Sequence, residues 1–343
     1  MTRTTSAAVG VVAVVAAYAV DRHYLQVAWT IDLPVPVVWW WLGAVLGVLG
    51  LPLLLTSLGR AVERPAIGSW RSLLLGWAVP LLVAHVAWLG FTLAVLRQFN
   101  SGFTGIPARG LAEIVPLVLL PPPEYSLLWS LALAPVVARL TWRLPTAVLV
   151  LGLAALTLLT PAVTFLVFLM AGLRLGPVAD RLADGAGRWA LAQRGAVALV
   201  GASVLGVPRF PDALAVVVAG LAVLPFALTL VDRFSAGRFG SRGLARVGGA
   251  AVATYLAMIP VLALIDSEAL ARLGYVGQGP QYAVALLEPV VLTAVVVLCG
   301  VVATALVHVV LRRLRPRGAD PARPDPGADP APALPEALTE VDR

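Results

Sequence analysis

The sequence predicts an all-α, polytopic membrane protein, a helical bundle crossing the bilayer about ten times. Three observations carry that expectation. Of 343 residues, 60% are hydrophobic and 13% charged, where a soluble domain averages about 45–50% and about 25%. The mean hydropathy of +0.91 leaves no room for a large soluble domain. Apolar runs recur along the chain, and arginines crowd alternate gaps between them.

A helix needs roughly 17–25 apolar residues to cross the hydrocarbon core. The first candidate is Thr4–Val20. The second, Pro34–Leu58, carries Trp39, Trp40 and Trp41 near one end, as an interfacial aromatic belt does. The third is Leu73–Leu96, the fourth Tyr125–Leu140 and the fifth Pro145–Leu159. The sixth, Ala162–Leu175, and the seventh, Ala196–Val207, are short. The eighth is Ala213–Val231, the ninth Val247–Ile265 and the tenth Tyr282–Leu311. Between the third and fourth runs lies an amphipathic piece, Ile106–Leu120, before Pro121, Pro122 and Pro123. It reads as an interfacial or re-entrant lid, or as an ordinary loop with apolar residues. Residues 315–343, rich in proline, alanine and acids without periodicity, read as a disordered cytoplasmic tail behind a membrane domain of residues 1–314.

The charges orient the chain. Every gap after an even-numbered run is net positive, for example Arg60, Arg64 and Arg71 against Glu63, and Arg139 with Arg143. Every gap after an odd-numbered run is neutral or negative, as with Asp21, Arg22 and Asp32, or Asp266, Glu268 and Arg272. Positive loops stay inside, so both termini are expected in the cytoplasm and the protein in the plasma membrane.

Composition also excludes function classes. The 25 basic residues are all arginine, and the net charge is +7. Outside the tail these arginines sit between apolar runs, as topology signals do, and no nucleic-acid partner is expected. The expected partner is the lipid bilayer. Cys299 stands alone, so no intrachain disulfide or cysteine metal site can form. With three histidines and no HExxH or DxD spacing, no metal is expected. No glycine-rich phosphate loop occurs, and no cleavable signal peptide is evident.

Polar side chains within the membrane are costly and call for a functional hypothesis. His85 lies in the middle of the third run, Tyr255 in the middle of the ninth, and Glu288 and His308 in the tenth. Each histidine reads either as a base or as a neutral side chain bonded to a neighbouring helix. The Glu288 carboxylate must be protonated, find a partner or reach the outer interface.

The stretch Leu244–Ile265 opens on Arg246 and contains GGAAVATYLAMIPV. It resembles the G-x-x-S-Y-x-x-Y-L-x-H-x-P segment of the acyltransferase-3 family of membrane O-acyltransferases. Tyr255, Leu256 and Pro260 match, and Met258 stands at the family's histidine. Thr56, Ser57 and Arg71 fall where the family has a Ser-Gly helix end and an Arg-led helix. Trp129 in LLWSLALAP, Gly172 and Gly176 in FLVFLMAGLRLG, and the closing VVLRRLRPR follow in the family's order. The resemblance covers nearly all of residues 1–317. In the first helix, Ala7 aligns with the family's arginine and Tyr18 with its basic histidine.

The resemblance implies a ten-helix enzyme that moves an acyl group from cytosolic acyl-CoA, a co-substrate, to a cell-envelope glycan or lipid, with no bound cofactor. On that reading Tyr18 and His85 are the catalytic candidates, with His85 as substitute base. Arg71 would hold the donor's phosphates, and Trp129, Tyr255, Glu288 and His308 are further donor- or substrate-binding candidates. The alternative is a non-catalytic relative that keeps the scaffold and binds a lipid or glycan in envelope assembly. A transporter with Glu288 as its proton site is a third class, disfavoured by the lack of inverted repeats.

Overall fold

The computed structural model describes residues 3–27, 29, 34–63, 66, 69–99, 103–104, 111–183, 187–208, 210–235, 241–273 and 278–314. The expected tail, 315–343, lies outside the described residues, as does 106–110 of the expected lid. Among the described residues all regular structure is helical. The chain runs α1 (Arg3–Arg22), α2 (Val35–Gly59) and α3, which joins Trp70–Leu73, a π-helical turn Leu74–Ala78, and Val79–Phe99. Next come α4 (Leu111–Leu119), α5 (Leu127–Leu140), α6 (Thr146–Leu156) and α7 (Thr164–Ala183). The last five are α8 (Arg188–Ser203), α9 (Asp212–Ser235), α10 (Ser241–Gly249), α11 (Ala251–Leu273) and α12 (Gln278–Leu314).

Among the described residues six helical segments are long and apolar enough to cross a membrane, and the protein is a multi-pass, helical membrane protein. They are Thr4–Gln26, Val35–Val62, Trp70–Phe99, Arg188–Gly206, Asp212–Arg233 and Gln281–Arg313. The pair α10 and α11 adds a seventh if taken as one span, although it bends by 68°. Three shorter apolar helices, Leu127–Leu140, Thr146–Leu156 and Pro161–Gly176, lie on the fourth, fifth and sixth apolar runs. All ten runs are therefore helical.

Two features differ from the sequence reading. The ninth run does not end at Ile265: α11 continues to Leu273 and takes Asp266 into the helix. The lid segment is a nine-residue helix, α4, with Val115 and Leu119 exposed and Leu117 buried.

The chain divides into two units, Met1–Ala303 and Thr304–Arg343. Within the first, α1 packs along α2, and α2 in turn packs on α7 and α9. The first turns of α7 form the centre of the core, with Phe165, Phe168, Leu169 and Met170 all 1% exposed or less. A helix buried on every side carries no amphipathic stripe.

Lipid is as apolar as leucine, so burial alone does not press membrane helices together, and small residues permit close contact instead. Gly59 and Gly172 do so reciprocally. A Cβ on Gly59 would run into the Leu169 carbonyl, and one on Gly172 into the Thr56 carbonyl. Prolines interrupt the ladders of α2, α5, α9, α11 and α12. Hydroxyls bond backbone carbonyls at two of these prolines: Thr229 Oγ1 donates to the Pro225 carbonyl at 2.8 Å, and Thr293 Oγ1 to that of Pro289 at 2.6 Å.

Candidate functional site

The last turn of α1 carries Tyr18, Asp21 and Arg22, with His23 and Tyr24 just beyond it. Residues four apart share a helix face, and Arg22 lies over the Tyr18 ring at 5.9 Å. Arg22 Nη2 donates to Glu124 Oε1 at 2.5 Å, and its Nε sits 3.4 Å from Asp21 Oδ2. Glu124 belongs to the tight turn Pro123–Tyr125 that leads into α5. Burial raises its carboxyl above the ordinary value, against the opposing pull of Arg22. Its second oxygen, Oε2, is buried without a hydrogen-bond partner among the described residues. Tyr18 lies beside Glu124, with its hydroxyl outside normal hydrogen-bond geometry. Tyr255 donates long bonds of 3.4 Å to the Pro123 and Glu124 carbonyls and packs edge-on against Phe165.

These groups close one end of a cavity of about 380 Å³. Its apolar wall runs along α2 through Gly43, Ala44, Gly47, Val48 and Leu51. Tyr18, Tyr255 and Met258 all line it. One end thus presents Tyr18, Asp21 and Glu124, and the rest of the lining is mostly apolar. Arg22 is shared between two carboxylates, so this end favours hydrogen-bond donors over anions.

Next to this end lies a cluster that the sequence reading did not assemble. His23 is fully buried. Its Nδ1 lies 2.5 Å from Asp266 Oδ1 and its Nε2 2.7 Å from Glu288 Oε1. The ring therefore ties the end of α1 to both α11 and α12. Of the three alternatives for Glu288, protonated, paired or at the outer interface, the structure shows a partner, His23. The charges of the odd-numbered gaps were the available signal: Asp21, Arg22, Glu124 and Asp266 belong to one face by the alternation of runs. The two carboxylates lie on opposite edges of the imidazole, so they cannot converge on a single ion. Among the described residues no group of three or more ligands is placed to hold a metal.

The remaining expected site residues scatter. His85 is fully buried in α3 and does not line the cavity. It approaches the backbone of Leu117 and Val118 on α4, and neither ring nitrogen makes a hydrogen bond of normal geometry. Tyr18 and His85 are thus not brought together. Trp129 is half-buried against the core. Arg71 is exposed at the start of α3. His308, exposed in the second unit, bonds through Nδ1 to the Thr304 carbonyl of its own helix at 2.9 Å. Near Arg71, at the other end of α2, a second cavity of about 650 Å³ is lined by Glu63, Trp70, Arg139, Trp142 and Arg174. Arg139 stacks on Trp70 at 4.7 Å, and Arg174 caps the end of α5 through the Thr141 carbonyl at 2.9 Å. No protein-family model, curated protein or solved structure matches this chain.

Proposed function

We propose that this is a plasma-membrane protein of acyltransferase-3-like architecture, crossing ten times with both termini cytoplasmic, whose cavity seats a hydroxyl-bearing amphiphile, a cell-envelope lipid or lipid-linked glycan. The observation that carries the reading is the cavity itself. An apolar slot along α2 ends on Tyr18, Asp21 and Glu124, an arrangement for one acyl chain and one polar head. The architecture is supported by Tyr18 and Met258, which the resemblance places at two histidine positions and which line this one cavity. Neither is a base at neutral pH, so the scaffold's binding role is favoured over its chemistry.

The test is native mass spectrometry of the protein released from nanodiscs made with an envelope lipid extract. The wild type retains an amphiphile. Glu124→Gln retains about tenfold less, the loss of one charge-assisted hydrogen bond of roughly 1.5 kcal/mol. Gly47→Leu, which fills the slot, retains none. A wild-type protein that retains nothing beyond bulk lipid sinks the reading.

One observation favours a second reading, acyl transfer. Glu124 Oε2 is an unpartnered carboxylate oxygen in the cavity end. On this reading it takes the acceptor's hydroxyl proton as that oxygen attacks the thioester carbonyl of acyl-CoA. The C–S bond breaks and the leaving thiolate recovers the proton. Thiol release from acyl-CoA, with the retained amphiphile as acceptor, then falls about 100-fold or more in Glu124→Gln and is unchanged in His85→Ala. No release by the wild type removes this reading and leaves the first standing.

A further inference from the structure

The second cavity, of about 650 Å³ at the far end of α2, plays no part in the amphiphile site of the first. It lies where apolar helices stop. The α2 span ends at Val62 and the α3 span starts at Trp70, and Glu63 and Ala66, between them, line the cavity. The shorter apolar helices α5 and α7 contribute Arg139 and Arg174 close to their ends. A cavity where four apolar helices end lies at the level of lipid headgroups. Its aromatic residues agree. Trp70 and Trp142 line it and are 41% and 66% exposed. An indole with one side apolar and a polar N–H suits the membrane–water boundary.

The cavity is also basic. Arg139 and Arg174 stand against Glu63 in its lining, which leaves the lining net positive by one charge. Arg71 and Arg143 adjoin the two tryptophans in sequence. Arg139 stacks on Trp70 and has a further interaction, so it supplies charge. Arg174 supplies donors as well. Its Nη1 donates to the Trp142 carbonyl at 3.2 Å, and its Nη2 to those of Ala138 and Thr141 at 3.3 and 2.9 Å. A guanidinium has five N–H donors, and the three carbonyls leave the Nε–H and one Nη1–H. All three partners are neutral. The Arg174 fork is therefore held in place by the end of α5 and keeps its charge for an anion.

We propose that this cavity seats the headgroup of an anionic phospholipid, with its phosphodiester on Arg174 and Arg139 and its acyl chains leaving past Trp70 and Trp142 into the bilayer. The single charge of a phosphodiester matches the net charge of the lining. A lipid fits better than a free phosphate because the lining is mixed. Trp70, Trp142, Ala66, Ala138 and Leu173 offer apolar surface, which a small hydrated anion would leave uncovered beside the hydrocarbon. Basic pockets between membrane helices recognise anionic headgroups in this way. The lipid bridges the start of α3 to the ends of α5 and α7. It binds the folded protein alone, so stability rises with its abundance. None of this depends on what the first cavity holds.

Native mass spectrometry of the full chain, released from phosphatidylcholine nanodiscs that contain a minority of phosphatidylglycerol, tests the proposal. The expected result is one phosphatidylglycerol retained in preference to phosphatidylcholine. Arg174→Gln lowers that retention about tenfold, the loss of a charge-assisted contact. Arg312→Gln with Arg313→Gln, on the exposed end of α12, leaves it unchanged, and so does Gly47→Leu, which fills the first cavity. Arg174 also caps α5, so if Arg174→Gln does not fold, Trp142→Ala decides in its place, with an expected loss of about threefold. Glycerophosphoglycerol, the same headgroup without acyl chains, is not retained when added to pure phosphatidylcholine discs. Its retention would overturn the lipid in favour of a soluble phosphate ester. Loss of the lipid in Gly47→Leu would move it to the first cavity. No preference for phosphatidylglycerol in the wild type, unchanged retention in the variant that decides, or an equal loss in the α12 variant also overturns the site.

Discussion

Replacing His23 by alanine is expected to cost about 3–5 kcal/mol of stability, the usual penalty for removing one partner of a buried charged cluster. Asp266 and Glu288 would then face each other across the space of an imidazole, with each losing its histidine bond. The loss reads out as a lower thermal unfolding midpoint and as reduced abundance in the membrane. The sign reverses in combination. Asp266→Asn and Glu288→Gln together remove the stranded charges, so the triple variant should recover most of what His23→Ala loses. Contacting residues couple strongly in such cycles. A His23→Ala protein with an unchanged midpoint would show that the ring does not hold the three helices, and the triad would lose its structural role.

The second large effect is expected at the crossing of α2 and α7. Gly172→Val and Gly59→Val each place a side chain against a backbone carbonyl of the other helix, Thr56 in the first case and Leu169 in the second. A flexible side chain could swing aside, but a carbonyl fixed in a helical ladder moves only with its helix. Overpacking of this kind costs typically about 1–3 kcal/mol and occasionally more, and the upper end applies because both helices lie in the core. Gly152→Val on α6 is the control. Nothing lies within 4 Å of its added Cβ, and there the midpoint should hold or rise slightly. If all three variants melt alike, the close crossing is not what limits stability.

Much of the helical layout is legible in the sequence because the bilayer imposes it. Each apolar run had to become a helix, since no other open backbone arrangement satisfies its polar groups in lipid. The lateral arrangement is not legible in the same way. A soluble helix advertises its buried face with an apolar stripe, but here every face is apolar and only side-chain size separates core from lipid. The exposed Leu286 and Leu287 and the buried Leu262 and Ala263 are all simply apolar in sequence. The 68° break between α10 and α11 falls within a continuous apolar stretch. Site residues followed the same division. Tyr255 was found through its motif and Glu288 through its charge. His23 was set aside as a substitute base because it falls at the membrane face away from a cytosolic acyl donor. Its partners lie 243 and 265 positions away, a pairing that no local pattern encodes.

That separation has a consequence for how the protein is made. Helix α1 is fastened at both ends by segments that are made long after it, α10, α11 and α12. At its start, Gly248 of α10 rests on the Thr4 carbonyl so closely that a Cβ would not fit. At its finish, Asp266 and Glu288 hold His23. Until those segments are inserted, the first helix stands in the bilayer with an unpaired imidazole. A nascent chain stopped short of residue 266 lacks both carboxylate partners of His23.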